Sequence, residues 1–450
     1  MSTRARMPSS APLGRNRDFR LFWAGQTISA FGDAFAFVAM PLLVLEVTGS
    51  VQQMGLVTAT AGVAQVATGM VSGIVMDRVH RRRLMIACDL LRLALYLTLP
   101  VAWWLGHRSL WLVYVVSALG GVFGNLFWVG YVAAIPNVVE LDELGRANGS
   151  LQASQALVYV LGPLAAGALA TRLGVATTLV FDAASFGISA LTLSLVRFRR
   201  EGGGELEGRD AGGEAENGQA GLGPGALLAG VRFLLGQRVL RMALALVAVV
   251  SFLGSAGLSA AVIDLFVFRL RQELGQSSRA VGACLGAAAI GAVVGAVGAP
   301  RLLRARPDDG ADGNGSGAYG GGSGVLLGTG IQALGLLVAA NVRGVGTTAF
   351  GAGLWAMGLT VRAVPYQSLR QALTPDPLLG RVTAASMTIT FAAASAGAPI
   401  VTRLAATFGA ARTLAGLAWA LAAVVAAGLF TPLGRLRIRP GRSSSRSDAV

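Results

Sequence analysis

Long apolar runs, separated by short polar joints, fill most of the chain. Twelve can be counted, over residues 20–46, 52–76, 84–105, 109–134, 148–170, 174–197, 238–268, 279–303, 324–341, 345–370, 381–405 and 408–432. Runs of this length mark helices that cross a bilayer. The ninth is the shortest. The pattern predicts an all-α membrane protein with twelve transmembrane helices. Composition supports this: the 450 residues are 54% hydrophobic and only 13% charged, with a mean hydropathy of +0.63. A soluble domain of this size could not bury that much apolar surface.

Two inserts break the rhythm. Residues 201–225 are rich in Gly and Glu and lack apolar periodicity, which predicts a disordered cytoplasmic linker between the sixth and seventh runs. Residues 306–324 form a second Gly-rich insert. Neither sits in the strand–turn–helix setting of a phosphate-binding loop. A faint repeat relates what flanks the first insert. "LGRANGSLQASQ" from Leu144 resembles "LGRVTAASMTIT" from Leu379, and "LGVATTL" from Leu173 resembles "FGAARTL" from Phe408, both at an offset of 235. Six plus six helices is the plan of a transporter built from two parallel halves. The expected divisions are a cytoplasmic tail (1–19), an N-terminal six-helix bundle (20–200), the linker (201–225), a C-terminal six-helix bundle (226–435) and a cytoplasmic tail (436–450). The two bundles are expected to be pseudo-symmetric.

The net charge of +15 would suggest nucleic acid in a soluble protein, but the placement of the basic residues gives a better account. All 37 are Arg. With the N-terminus inside, about 27 of the Arg residues fall in cytoplasmic segments and about eight in external loops. That asymmetry predicts a multi-pass protein of the cell membrane with both termini cytoplasmic, in contact with anionic lipid and not with nucleic acid. The lack of Lys excludes a Walker ATPase in this chain, because the P-loop needs Gly-Lys-Ser/Thr. Together with abundant Ala, Gly and Arg, it also suggests a GC-rich bacterial genome. The first run is too long for a signal-peptide core and reads as a retained helix. Cys88 and Cys284 lie in apolar runs, so no disulfide framework is expected. His80 and His107 are isolated; no metal site or cofactor is indicated.

One joint stands out. "GIVMDRVHRRR", residues 73–83, ends the second run and carries an acid, Asp77, amid Arg78, Arg81, Arg82 and Arg83. The string Gly73-x-x-x-Asp77-Arg78-x-x-Arg81-Arg82 resembles the signature loop between helices two and three of the major facilitator superfamily. His80 stands where the family usually has Gly. Gly73 allows close helix approach, and Asp77 can face the positive N-terminus of a helix from the other half. The resemblance implies that this partner is helix eleven, near Arg381, and that the contact forms a breakable cytoplasmic latch. Gly73, Asp77, Arg78, Arg81 and Arg82 form the expected gating motif, its Arg side chains bridging to nearby carboxylates; the alternative is that Arg78 to Arg83 only follow positive-inside placement, the preferred reading for Arg83. The matching loop of the second half has Gly295 but Ala299 in place of the acid, so the latch is expected to be asymmetric.

Further stretches resemble the drug, macrolide and enterobactin exporters of this superfamily: residues 19–50, "AAIPNVVELDELGRANG" and "FDAASF". "LGPLAAGALA" partly resembles the Gly-Pro antiporter signature, so Gly162 and Pro163 mark either that motif or a simple kink in helix five.

Ionisable groups at membrane depth are costly, about 2.5–3.5 kcal/mol each, and are usually functional. Asp33, midway along helix one, is the leading candidate for proton coupling or for contact with a cationic substrate; a structural pair or a wet vestibule is the alternative. Asp89 and Arg92 share a face of helix three at i, i+3 and suggest a buried intrahelical pair, with a role in gating as the alternative. Asp182 and Asp264 are weaker candidates, expected near the outer surface. Arg362 could hold an anionic group, pair with an acid across the halves, or snorkel to the cytoplasmic face. Gln26, Asn125, Tyr131 and Gln367 are polar cavity candidates, and Trp23, Phe35, Phe37, Phe127, Trp128 and Trp355 could line a lipophilic site. The reading is a monomeric secondary transporter, not an enzyme, that exports a lipophilic drug, antibiotic or siderophore in exchange for protons. The alternatives are an importer of the same fold, for a nutrient or lysophospholipid, and a non-transporting membrane sensor or partner.

Overall fold

Within the described residues, the apolar runs become helix. The computed structural model describes residues 16–139, 143–198, 224–255, 261–302, 319–341, 344–432 and 437–438. The first half holds α1 (Arg17–Thr48), α2 (Val51–Arg78), α3 (Arg81–Trp104), α4 (Leu110–Ala134), α5 (Leu144–Leu173) and α6 (Val175–Leu195). The second holds α7 (Pro224–Gly236), α8 (Arg238–Val250), α9 (Ala261–Phe268), α10 (Ser278–Leu302), α11 (Gly321–Asn341), α12 (Val345–Leu373), α13 (Asp376–Phe408) and α14 (Ala410–Leu429). Among the described residues, nine helices are long and apolar enough to cross a membrane, and the bent pair Ala229–Gly236 and Arg238–Leu253 makes up to ten. The chain is therefore a multi-pass helical membrane protein.

Three features depart from the apolar pattern. The seventh run is not one smooth helix: α8 passes into a π-helical turn at Ser251–Ser255, and α9 into another at Arg269–Glu273. Ahead of it, α7 meets α8 at 106°. At 13 residues α7 is too short to cross a bilayer, so it leaves no long run to detect. Finally, Tyr319–Gly320 pairs antiparallel with Arg437–Ile438, a two-residue ladder in an otherwise helical fold. Most of the expected linker, up to residue 223, lies outside the described residues.

The internal repeat is visible in the backbone. The turn from α5 to α6 rests on Gly174 at φ 86, ψ 156, and the turn from α13 to α14 on Gly409 at φ 86, ψ 155. Each glycine is in the left-handed region that excludes most side chains, and each donates its N–H back into the helix it ends, to Ala170 O (3.1 Å) and Ala405 O (2.9 Å). Both pairs are 235 positions apart. Helices α4 and α12 also start at this spacing, at Leu110 and Val345.

In the first half, α1 packs on α5 and α6, α3 on α4 and α6, and α2 on α4; in the second, α12 packs on α10 and α11, and α14 on α11. Two seams join the halves: α5 against α10, and α2 against α13. Glycines permit this approach, as small residues do in membrane interfaces. A Cβ on Gly167 would lie 2.7 Å from Gly282 Cα, and side chains of Thr402 and Ser395 crowd the Cα hydrogens of Gly55 and Gly62. These contacts lie from mid-helix to the end where α1 finishes and α2 begins, here called the far end. The apolar clusters follow the same division. One large cluster spans both halves and holds Val44, Leu45, Met54 and Ala170 with Leu265, Val281, Cys284 and Ala405. Toward the end where α1 starts, the clusters are separate. Phe22, Met85, Tyr131 and Leu193 belong to the first half, and Leu234, Leu240 and Val382 to the second.

Candidate functional site

A polar network is built inside the first half from α1, α3 and α6. Arg92 of α3 donates from Nη2 to Asp33 Oδ1 of α1 at 2.5 Å. The Arg92 side chain is 9% exposed and that of Asp33 is 49% exposed, so the pair joins a buried cation to an accessible acid. The guanidinium lies 3.8 Å from the centroid of the Phe186 ring on α6, within cation–π range. Tyr96 meets the same ring edge-on at 5.6 Å. Two more acids complete the group. Asp89 lies against Ser189, and neither of its carboxylate oxygens is in hydrogen-bonding geometry. Asp182 is fully buried, and among the described residues neither of its carboxylate oxygens has a hydrogen-bond partner. Nearby, Gln26 Nε2 donates to Ser189 Oγ at 3.0 Å.

This arrangement revises two sequence expectations. Arg92 pairs across helices with Asp33, not along its own helix with Asp89, because its long side chain spans the Phe186 ring to reach α1. Asp182 is not peripheral. The Cα of Asp182 would be 3.2 Å from a Cβ on Gly32, so α6 presses directly on the α1 turn that carries Asp33.

Asp264 is also buried, at 3% exposure, and it bridges the halves: Thr58 Oγ1 of α2 donates to its Oδ2 at 2.8 Å. No sequence signal singles out Thr58, whose partner is 206 positions away. A buried acceptor that loses its donor costs about 1–3 kcal/mol. Thr58→Val keeps the shape but removes the hydroxyl, so it should weaken the joined far end by that amount. Distances between labels on the far ends of α2 and α9 should broaden toward longer values; an unchanged distribution would show that this bond does not hold the halves.

The remaining candidates separate into groups. Gly73, Asp77 and Arg78 end α2, and their side chains lie outside the described residues. Arg81 and Arg82 open α3. Arg82 Nε donates to Leu193 O at 3.0 Å, and its Nη2 donates to Ser194 O. The expected bridge to carboxylates is therefore, for Arg82, a cap on the carbonyl end of α6, where a cation is favoured. In the second half, Ala299 is buried with Val361 in an apolar cluster, a place where an acid would be costly. Arg362 is 5% exposed and donates from Nε to Gln332 Oε1 of α11 at 3.2 Å, so it does not snorkel. Arg370, one of the α12 residues that sequence reasoning passed over, is buried beside Tyr366, whose hydroxyl is 2.6 Å from Ser386 Oγ. Gln367 is exposed. Asn125 makes a long contact, 3.4 Å, with Gln65 O.

Several aromatic candidates are packing groups. Trp355 is fully buried 6.0 Å from Phe266, and Tyr131 stacks between Phe22 and Trp128. Phe35 and Phe127 are buried, Phe37 is partly buried, and Trp23 and Trp128 are exposed. Gly162 faces the Ala34 side chain of α1 within a helix that runs on through Pro163, and the Pro163 carbonyl faces Gly282 of the other half. The Gly-Pro step thus sits between two helix interfaces.

Comparison with known proteins gives a consistent assignment. The sequence model described as Major Facilitator Superfamily matches residues 22–398. The multidrug efflux pump Tap of Mycobacterium tuberculosis (strain ATCC 25618 / H37Rv) is 28% identical over 180 residues, 39% of this chain and 43% of Tap. Macrolide efflux protein A of Streptococcus pyogenes is 24% identical over 185 residues, 41% of this chain and 45% of that protein. Enterobactin exporter EntS of Citrobacter koseri is 28% identical over 181 residues, 39% of this chain and 42% of EntS. The matched stretch is thus less than half the length of each relative. Solved structures agree on the fold. The nucleoside transporter NupG superposes with a TM-score of 0.68 at 10% identity, covering 92% of this chain and 98% of NupG. A bacterial homologue of the iron transporter ferroportin, in an inward-facing state, superposes with a TM-score of 0.66 at 15% identity, over 92% of this chain and 99% of that one. With its helical halves, its internal repeat and a family match over most of its length, the chain belongs to the major facilitator superfamily.

Proposed function

We propose that the protein is a proton-coupled exporter of a lipophilic small molecule, a drug, antibiotic or siderophore, working by alternating access between two six-helix halves. The observation that carries this reading is the Asp33–Arg92 pair. An acid half-exposed at membrane depth, held by a buried cation, can take a proton or a cationic group from the space between the halves and hand it on when the halves rock. The efflux names of the three relatives favour export. The proposed setting is a bacterial cell membrane, with both termini cytoplasmic, the monomer as the working unit and lipid around it. On the positive-inside argument the far end is external. The shared core there and the separate cores at the other end then correspond to a cytoplasm-open state.

The test is transport itself. Cells lacking the gene should accumulate lipophilic antibiotics or native siderophores, and everted vesicles should take them up when acidified inside. Unchanged accumulation and sensitivity across such a panel would overturn export, and proton-driven flux of the opposite sign would identify an importer.

Gating is proposed to use Asp77 at the end of α2, facing the start of α13 near Arg381 when the cytoplasmic side closes. Ala299 leaves the second half without an equivalent acid. Asp77→Ala should slow cycling several-fold and shift the population toward the cytoplasm-open state, by about 0.3–1 kcal/mol for an exposed charge at a helix N-terminus. Labels on the cytoplasmic ends of α2 and α13 read this as a longer mean distance; no shift would remove Asp77 from the latch.

A further inference from the structure

Three carboxylates and one guanidinium share the interior of the first half. The ionisable groups that act on Arg92 are Asp33 from α1, Asp89 and Tyr96 from α3, and Asp182 from α6; Asp33 in turn acts on Tyr159 of α5. Among the described residues, only Asp33 is bonded to the guanidinium. Asp182 and Phe186 are four apart on α6 and therefore share a face, and Arg92 already lies on the Phe186 ring at 3.8 Å. Asp182 waits one turn along that face with two buried, unpartnered oxygens, and Arg92 Nε is buried without a partner as well. An aromatic face holds a cation without directional bonds, so it lets the guanidinium move between acceptors without entering an apolar gap.

We propose that Asp182 is the second carboxylate of a transferable ion pair: when Asp33 is neutralised by a proton or by bound cargo, the Arg92 guanidinium crosses the Phe186 ring from Asp33 to Asp182. Asp182 is thus a positioning residue. It receives the cation that Asp33 gives up and transmits the state of the cavity to the α1–α6 contact at Gly32. The trigger rests on the reading of Asp33 as the coupling residue; the exchange is a property of the three side chains.

The test is a double-mutant cycle on the full chain in lipid nanodiscs, read by thermal unfolding. Asp33→Asn alone and Asp182→Asn alone each leave Arg92 one carboxylate of the exchanging pair and should lower the midpoint slightly. The double variant should lose at least about twice the sum of the single losses, the non-additivity of coupled neighbours, and Arg92→Met in that background should restore most of it. Additive losses, no rescue by Arg92→Met, or the same coupling with Asp89→Asn in place of Asp182→Asn would overturn the exchange. The single variants also carry a spectroscopic readout that does not depend on the double variant folding. The Arg92 guanidinium nitrogen resonance, assigned by its loss in Arg92→Lys, should move in Asp33→Asn. In that single variant a contact between the guanidinium protons and the Asp182 β-protons should appear that the unmutated chain lacks; no such contact would overturn the proposal. Failure of the two readings is distinguishable. Additive stability with transport lost in Asp33→Asn sinks the exchange alone, whereas coupled stability with transport intact sinks the coupling role of Asp33 alone.

Discussion

Asp33→Asn is expected to abolish proton-driven transport while the protein still inserts and folds. Asparagine has the same shape as aspartate but cannot take up and release a proton, so a coupling step at this position is lost outright. The structural cost should be small. The Asp33 side chain is 49% exposed, and Asp89 and Asp182 also act on the buried Arg92 guanidinium, so its charge is not left uncompensated. Everted vesicles report both quantities. Substrate-induced proton release should vanish, and gradient-driven flux should fall at least about tenfold, the equivalent of 1.4 kcal/mol in the rate-limiting step. Gradient-free exchange of substrate should persist. Full gradient-driven flux in the variant would remove Asp33 from the mechanism.

Gly282→Val should stop the cycle by a different route. A Cβ at Gly282 would lie 2.5 Å from the Pro163 carbonyl oxygen and 2.8 Å from Gly167 Cα, both backbone atoms that cannot rotate away. The seam between α5 and α10 would have to open, at the ~1–3 kcal/mol typical of overpacking or more. In the proposed cycle α5 and α10 part when the far end opens, so the penalty falls on the joined state. Each half should therefore fold as before, but the joined state should be depleted about tenfold or more, and transport should fall with it. Distances between labels on the facing ends of α5 and α10 should lengthen. Normal transport, or an unchanged distance, would show that this seam adapts and does not gate.

Much of the fold was readable because a bilayer imposes one strong rule: backbone groups must be satisfied inside each helix. Long apolar runs therefore map onto helices almost residue by residue, as at α4 and α12. The element that escaped, α7, is the one that does not need a membrane-length run. The repeat was readable because a left-handed turn needs glycine, which keeps Gly174 and Gly409 in step.

Candidate residues were readable as types more than as partners. Asp33 stands out because an acid at membrane depth is rare. Its bond to Arg92 does not, because Asp89 is nearer to Arg92 along the chain and follows the helical i, i+3 rule. The choice was made by α6, whose Phe186 carries the guanidinium across to α1. Thr58 gives no sign at all, since a threonine in an apolar helix normally bonds its own backbone, and only the packing of α2 beside α9 turns it toward Asp264.

By itself, the sequence determined the solvent of this protein, the lengths and approximate ends of its helices, and its two-part plan. It did so because hydrophobic length and turn chemistry are local properties. Which acid holds which base, where the halves touch, and which aromatics line or merely pack were decided by tertiary structure alone. Those outcomes depend on side chains brought together from helices 59 to 206 positions apart, and no local pattern records that distance.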